Sequence, residues 1–221
     1  MKTKTINYLL SALLLLFTLS IKAQTVDYYL RADLGISAMY FNPSSQTSPR
    51  LSYGLGADAF VKINYRNMVF NPSFLFTQSG YNFQHDDRKE KVSVQSFRID
   101  APLKLNVFKG KLRDKLSIGI GPYYGMPIFG HFTLFRRNYQ MSFGNTSDSR
   151  KAYDMGAVAK VFGHFWGSEG PFMSFQCNWG ILNLTPRARA LKDEPSFYSR
   201  NFYVTFSYPL RKVTSRVFKK D

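Results

Sequence analysis

Several segments of the chain carry charged residues at every second position, alternating with apolar residues. In FRIDAPLKLNVF (Phe97–Phe108), one row contains Arg98, Asp100 and Lys104, and the other row is apolar. A period of two is typical of a β-strand, whose successive side chains point to opposite faces. Charges in such a row share one face, where they can form ion pairs. Because cations and acids nearly balance, we predict an interior charge network that holds the fold together: Arg31, Asp33, Asp58, Lys62, Arg98, Asp100, Lys104, Asp154 and Lys160.

Catalysis by a nucleophile would require a base beside it. The candidate bases are His85, His131 and His164, and the candidate nucleophiles are Ser79, Ser142 and Ser174. No serine-containing catalytic motif surrounds any of them. The scattered histidines and the single cysteine, Cys177, form no recognisable metal motif. We predict no catalytic residue, no metal and no cofactor, and we keep a lipid-modifying outer-membrane enzyme as an alternative.

The chain is strongly basic, with a formal net charge of +16. Such a charge favours an anionic partner, which here means lipid headgroups, an acidic envelope polymer or a protein partner in the periplasm or outer membrane. The basic residues are spread along the chain and match no nucleic-acid-binding motif, so we predict no nucleic-acid partner. Two basic groups are candidate anion contacts, one in the segment 131–152 and one at the C-terminus: Arg136, Arg137, Arg150 and Lys151, and Arg211, Lys212, Arg216, Lys219 and Lys220.

The N-terminal 23 residues have the layout of a secretory signal peptide. Lys2 and Lys4 precede a short apolar core, and Ala23 is a small residue before the predicted cleavage point. We therefore expect export, a β-barrel domain over residues 24–210 and a basic periplasmic tail over residues 211–221.

Period-two alternation recurs in eight segments. No segment after residue 23 approaches the roughly 20 apolar residues that a spanning helix requires. The connections alternate between long and short, which is typical of a bacterial outer-membrane barrel with short periplasmic turns. We predict an all-β, eight-stranded, antiparallel, up-and-down transmembrane barrel with a polar, plugged interior. The eight segments are 29–41, 53–64, 68–81, 92–107, 116–128, 153–166, 172–184 and 201–210.

A membrane barrel and a soluble barrel differ in which of the two rows faces outward. We expect the apolar row to face lipid and the charged row, with its many glycines, to fill the lumen, which leaves little room for a diffusion pore. A soluble exported ligand-binding barrel, with the apolar row inside, is the competing interpretation. Pro72, Pro102 and Pro122 cannot donate to a strand ladder, and we expect bulges or bends near them, or strands that end earlier.

Five short motifs resemble, in their order, those of PorT-like outer-membrane β-barrels, a porin-family barrel domain. They are FNPSFLFTQSGY (Phe70–Tyr81), FRIDAPLKLNVF (Phe97–Phe108), GIGPYYG (Gly119–Gly125), YDMGAVAKVFG (Tyr153–Gly163) and FQCNWGILNL (Phe175–Leu184). The resemblance implies an eight-stranded barrel in the outer membrane of a Gram-negative cell. It implies no shared catalytic residues. We therefore predict a non-enzymatic structural, anchoring or interaction protein that acts through its extracellular loops and its basic tail.

Overall fold

The structure is a computed structural model that describes residues 26–42, 46–63, 68–85, 88–108, 115–134, 137–144, 149–167, 170–182, 184 and 196–210. The predicted signal peptide and the basic tail lie outside these residues and remain predictions. Within the described part of the chain, no helix is long and apolar enough to cross a membrane.

The described residues form eleven β-strands, and each strand pairs antiparallel to its neighbours. Their bounds are β1 Val26–Asn42, β2 Gln46–Ile63, β3 Met68–Phe70, β4 Ser73–His85, β5 Arg88–Asp100, β6 Leu103–Leu105, β7 Leu116–Leu134, β8 Arg137–Gln140, β9 Asp154–Gly163, β10 Phe172–Gly180 and β11 Ser196–Pro209.

The sheet closes on itself because β1 pairs with both β2 and β11. β3 and β4 share one position in the ring, as do β5 and β6, whereas β8 lies off the ring and pairs with β7. Among the described residues, the ring therefore has eight positions, which confirms the predicted barrel. We call the end with the short turns, where β2 ends and β10 begins, the periplasmic end, and the opposite end the extracellular end.

Two of the three prolines interrupt strands as predicted. β3 and β4 are separated at Pro72, and β5 and β6 are separated at Pro102. The expectation of a bulge or bend at Pro122 is wrong, since Pro122 lies within the continuous strand β7. Its carbonyl accepts a hydrogen bond from Ala101 N at 2.9 Å, so its nitrogen faces the gap between β5 and β6. No ladder bond is required from that nitrogen, and the strand continues.

The apolar row faces outward on every side of the barrel. Leu30, Leu55, Ile120 and Phe175 are each more than half exposed. Arg31, on the opposite face from Leu30, is only 2% exposed. This sidedness is the reverse of that in a water-soluble protein, so the competing interpretation of a soluble barrel with an apolar interior is wrong.

The lumen is filled by side chains in successive layers. Near the periplasmic end, Tyr29, Phe60, Phe162 and Phe172 form a buried aromatic layer with mostly edge-on ring contacts. Charged and polar residues occupy the middle. Near the extracellular end, Tyr81 and Val92 are buried. Phe132 of β7 and Met141, which follows β8, are partly buried and pack against them.

Candidate functional site

Arg31 lies at the centre of the lumen, where its guanidinium contacts acids from three strands. Its Nε and Nη2 atoms donate to the two carboxylate oxygens of Asp33 at 2.7 and 2.8 Å. Its Nη1 atom lies 3.2 Å from Asp58 Oδ1 and 3.4 Å from Asp100 Oδ2. The two-point contact with Asp33 is the strong geometry for an arginine–carboxylate pair. All four residues are at most 3% exposed, so their charges are stabilised by one another rather than by water.

Arg98 and Lys160 supply the remaining cations of this cluster. Arg98 Nη2 lies 3.1 Å from Asp33 Oδ2, and Arg98 Nε lies 2.9 Å from Asp100 Oδ1. Lys160 Nζ lies 3.9 Å from Asp100 Oδ2 and 3.4 Å from Ser73 Oγ. We call Arg31, Asp33, Asp58, Arg98, Asp100 and Lys160 the lumen cluster. Its three cations and three carboxylates cancel, which is the condition under which buried charges are tolerated.

Uncharged polar side chains complete the lumen cluster, and sequence analysis did not single them out. Gln176 accepts from Arg31 Nη2 at 2.5 Å and donates to Asp100 Oδ2 at 3.0 Å. Thr205 donates to Asp33 Oδ1 at 2.8 Å, and Ser207 donates to Asp58 Oδ2 at 3.0 Å. Their sequence signal is membership of the polar rows of β10 and β11. That signal does not identify which acid each one meets.

The structure places three of the predicted network residues outside the lumen cluster. Lys62 is a correction, because its side chain is 55% exposed at the periplasmic end, where its Nζ lies 3.9 Å from Asp27. Lys104 lies near the same end, with its Nζ 5.2 Å from the ring centres of both Phe60 and Phe162. Alternation assigned these residues to a face but could not assign their depth along the barrel axis.

Asp154, the third of these residues, forms a separate polar group above the lumen cluster. Its Oδ2 atom accepts from Ser199 Oγ at 2.6 Å and from the Tyr123 hydroxyl at 3.1 Å. The Tyr123 and Ser199 hydroxyls are themselves 2.9 Å apart. Hydroxyl donors rather than a cation therefore hold this carboxylate.

Within the described part of the chain, no hydrogen bond joins any of the histidines considered for catalysis to any of the serines. His164 follows β9, and its Nε2 atom lies 2.7 Å from Lys104 Nζ, while its Nδ1 atom has no hydrogen-bond partner among the described residues. Burial, followed by the nearby Lys104 ammonium, lowers the pKa of His164 to about 4. Ser174 is buried in the lumen, whereas His131 and Ser142 are exposed at the extracellular end.

The other candidates for catalysis and metal binding add no site within the described residues. Ser79 is half-buried on β4, and the side chain of His85 lies outside the described residues. No group of three or more His, Cys, Asp or Glu residues in the described ranges could hold a metal ion.

The described basic residues of the segment 131–152 lie at the extracellular end. Arg137 is exposed on β8, and Lys151 is half-buried. Arg150 Nη2 donates to the Tyr81 hydroxyl at 2.5 Å, and its guanidinium carbon lies 5.6 Å from the centre of that ring. Arg136 lies outside the described residues, as do the basic residues of the tail: Arg211, Lys212, Arg216, Lys219 and Lys220.

The outward apolar belt and the filled polar lumen define the class of protein. Along β11, Arg200 and Tyr208 border three outward apolar residues, Phe202, Val204 and Phe206. The eight residue-to-residue steps from Arg200 to Tyr208, on a strand tilted by about 40°, span roughly 20 Å, close to the apolar band of roughly 25 Å on outer-membrane barrels. The chain is an integral β-barrel of the outer-membrane type.

Comparison with known proteins finds similar structures but no similar sequence. No known protein-family pattern matches the chain, and no curated protein matches it. The attachment invasion locus protein Ail of Yersinia pestis is 9% identical, with 82% of this chain and 98% of Ail covered at a TM-score of 0.42. Ail in complex with the heparin analogue sucrose octasulfate is 8% identical, with 84% and 100% covered and a TM-score of 0.44. Neisserial surface protein A is 10% identical, with 84% and 99% covered and a TM-score of 0.47.

Proposed function

We propose that this protein is a non-enzymatic outer-membrane barrel that anchors or recognises an anionic partner through its extracellular end. The filled lumen carries this proposal. The neutral lumen cluster lies between a buried aromatic layer at one end and the buried pair Tyr81 and Val92 at the other. Such an interior leaves the exposed ends of the barrel as the surfaces that meet partners.

β8 and the segment that follows it supply the proposed contact surface, which contains Arg137, Arg150 and Lys151. Gly144 N donates to Arg150 O at 2.9 Å and Arg150 N donates to Ser142 O at 3.0 Å, which folds this segment back on itself. Its contact with Tyr81 holds Arg150 at the barrel mouth. Arg137 and Lys151 carry further positive charge on this surface. An acidic envelope polymer or a phosphate-rich surface matches that charge.

The experiment measures binding of fluorescently labelled dextran sulfate to the full chain in neutral detergent micelles. We expect the double variant Arg137→Gln, Lys151→Gln to raise the apparent Kd about tenfold or more, since each basic residue near an anionic surface contributes about 1 kcal/mol. The matched control, Lys62→Gln with Lys115→Gln, removes the same charge from exposed residues at the periplasmic end. It should change the Kd less than twofold. Equal weakening by both double variants, or by neither, would refute the proposed surface.

A second part of the proposal concerns the basic tail. We propose that residues 211–221, beyond the periplasmic end of β11, bind a partner protein or an anionic envelope component after removal of the signal peptide. We also propose that the chain is related to PorT-like barrels, and the order of the five motifs supports this relationship. Co-purification from native outer membrane, with residues 211–221 present or deleted, tests this role. A partner retained after the deletion would contradict it.

A further inference from the structure

A groove of about 470 Å³ crosses the lipid-facing surface of β1, β11, β10, β9 and β7. In register across these strands stand Ile36, Phe202, Cys177, Ala159 and Ile120. The two small side chains, Cys177 and Ala159, are adjacent and form its floor, and the larger ones form its sides. The volume lies within the range of small-ligand pockets, roughly 300–1,000 Å³.

A cation and an aromatic ring border the groove on its extracellular side. Arg200 and Trp179 are cross-strand partners, one step along the outward rows beyond Phe202 and Cys177. The guanidinium carbon of Arg200 lies 5.8 Å from the ring centre of Trp179. Arg200 Nη1 donates to the carbonyls of Gly180 and Ser199 at 2.8 and 2.9 Å. These contacts orient the guanidinium at the upper edge of the apolar belt.

The position of this pair corresponds to the headgroup level of the outer leaflet. Trp179 is 48% exposed, and tryptophan is enriched where lipid headgroups meet acyl chains. Arginine is well suited to phosphate because its guanidinium is always charged and is more weakly hydrated than an ammonium group. The apolar groove therefore begins directly below a group that is complementary to an anionic phosphate.

We propose that this groove is a binding site for an anionic, phosphate-bearing lipid of the outer leaflet. One acyl chain lies over Cys177 and Ala159, the phosphate contacts Arg200, and the headgroup region packs on Trp179. A second copy of the chain fits less well, because a two-fold contact here would bring two Arg200 side chains to the same interface. The site includes none of the residues of the proposed extracellular contact surface, so it goes beyond the proposed function.

The two tryptophans of the chain, Trp166 and Trp179, make the site testable by fluorescence quenching. In the Trp166→Phe variant, Trp179 at the groove is the only reporter. The full chain is reconstituted in phosphatidylcholine bilayers that contain either dibrominated phosphatidylglycerol or dibrominated phosphatidylcholine as the quencher. We expect half-maximal quenching at a mole fraction at least threefold lower for the anionic lipid.

Two variants distinguish a specific lipid-binding site from a general attraction of the basic protein for anionic lipid. Arg200→Gln in the same background should remove the preference for the anionic lipid. Cys177→Leu, which fills the floor of the groove and leaves Arg200 intact, should also reduce it to less than 1.5-fold. In the matched control, Trp179→Phe leaves Trp166 at the periplasmic end as the reporter, and Arg200→Gln should not change its quenching.

Three outcomes would overturn the proposal. The first is equal quenching of Trp179 by both lipids. The second is a preference that survives either Arg200→Gln or Cys177→Leu. The third is protection of Trp179 from both lipids together with disulfide-linked dimers through Cys177, which would identify a second copy of the chain as the occupant.

Discussion

Arg31 shows how this barrel keeps charges away from water. Its guanidinium lies within 3.4 Å of carboxylate oxygens on Asp33, Asp58 and Asp100. Arg31→Met would leave three acids facing two cations in the lumen cluster. We expect the free energy of unfolding to fall by about 3–5 kcal/mol, the usual result of removing one partner from a buried pair. Urea unfolding in lipid vesicles, followed by tryptophan fluorescence, measures this change.

Lys62→Met provides the control for Arg31→Met. Lys62 was predicted for the same network, but it lies at the exposed periplasmic end, where its pair with Asp27 contributes less than about 1 kcal/mol. The double variant Arg31→Met, Asp58→Asn restores the charge balance and should recover part of the loss. Equal destabilisation by Arg31→Met and Lys62→Met would contradict the assignment of Arg31 to a buried cluster.

Because the pKa of His164 is lowered, we expect the protein to lose stability in mildly acidic solution. The pKa of His164 is lowered to about 4 in the folded protein, from 6.5 in an unperturbed side chain. Below pH 6.5 the unfolded chain binds a proton at this position and the folded protein does not, so stability falls as the pH drops from about 6.5 towards 4. His164→Gln should remove a loss on the order of 1 kcal/mol between pH 7 and 5.5. Parallel urea titrations at the two pH values test this, and an unchanged difference in the variant would refute it.

At the scale of the strands, close backbone approach makes some glycines irreplaceable. A Cβ atom added at Gly156 on β9 would collide with the carbonyl oxygen of Trp179 on β10. A Cβ atom at Gly125 on β7 would meet nothing closer than 3.7 Å, which is ordinary contact. We therefore expect Gly156→Ala to lower the urea midpoint clearly, because β9 and β10 must separate locally, while Gly125→Ala leaves it nearly unchanged. Similar midpoints for the two variants would contradict the close approach of β9 and β10 at Gly156.

The depth of a residue along a strand decides the effect of a new charge on the lipid face. Val204 lies in the middle of the apolar belt on β11, and Tyr208 lies near its periplasmic border. We expect Val204→Lys to cost about 2–4 kcal/mol and Tyr208→Lys about 0–1 kcal/mol. Unfolding in lipid vesicles measures both values. Equal costs would mean that β11 does not cross the membrane as described.

At the scale of the whole molecule, the filled lumen predicts a barrel that does not conduct. Phe60, Phe162 and Phe172 close the periplasmic part, and the lumen cluster occupies the middle. An eight-stranded barrel has an interior only wide enough for its own side chains. We expect no large, steady openings when the full chain is inserted into a planar lipid bilayer and a steady voltage is applied. Such openings would contradict a sealed interior.

Much of this architecture could be predicted because alternation is a local property of the sequence. The rows that contain Arg98 and Phe97 separate by simple counting. We predicted that the apolar row faces outward, and the exposed Leu30 beside the buried Arg31 decided this against a soluble barrel. The breaks at Pro72 and Pro102 follow from the missing N–H group. The extra hairpin strand β8 was not predicted, because it lies off the ring and has no long alternating pattern.

The amino-acid sequence by itself determined the class of fold and the division of each strand into a polar row and an apolar row. These properties depend on residue type and on a spacing of two. Only the tertiary structure decided that Lys62 lies at the rim, that Gln176 joins Arg31 to Asp100, and that Cys177 and Ala159 form one groove with Arg200 at its border. Closure of the ring sets the stagger between strands, and the stagger decides which side chains from distant strands reach the same depth. No pattern within a single strand contains that information.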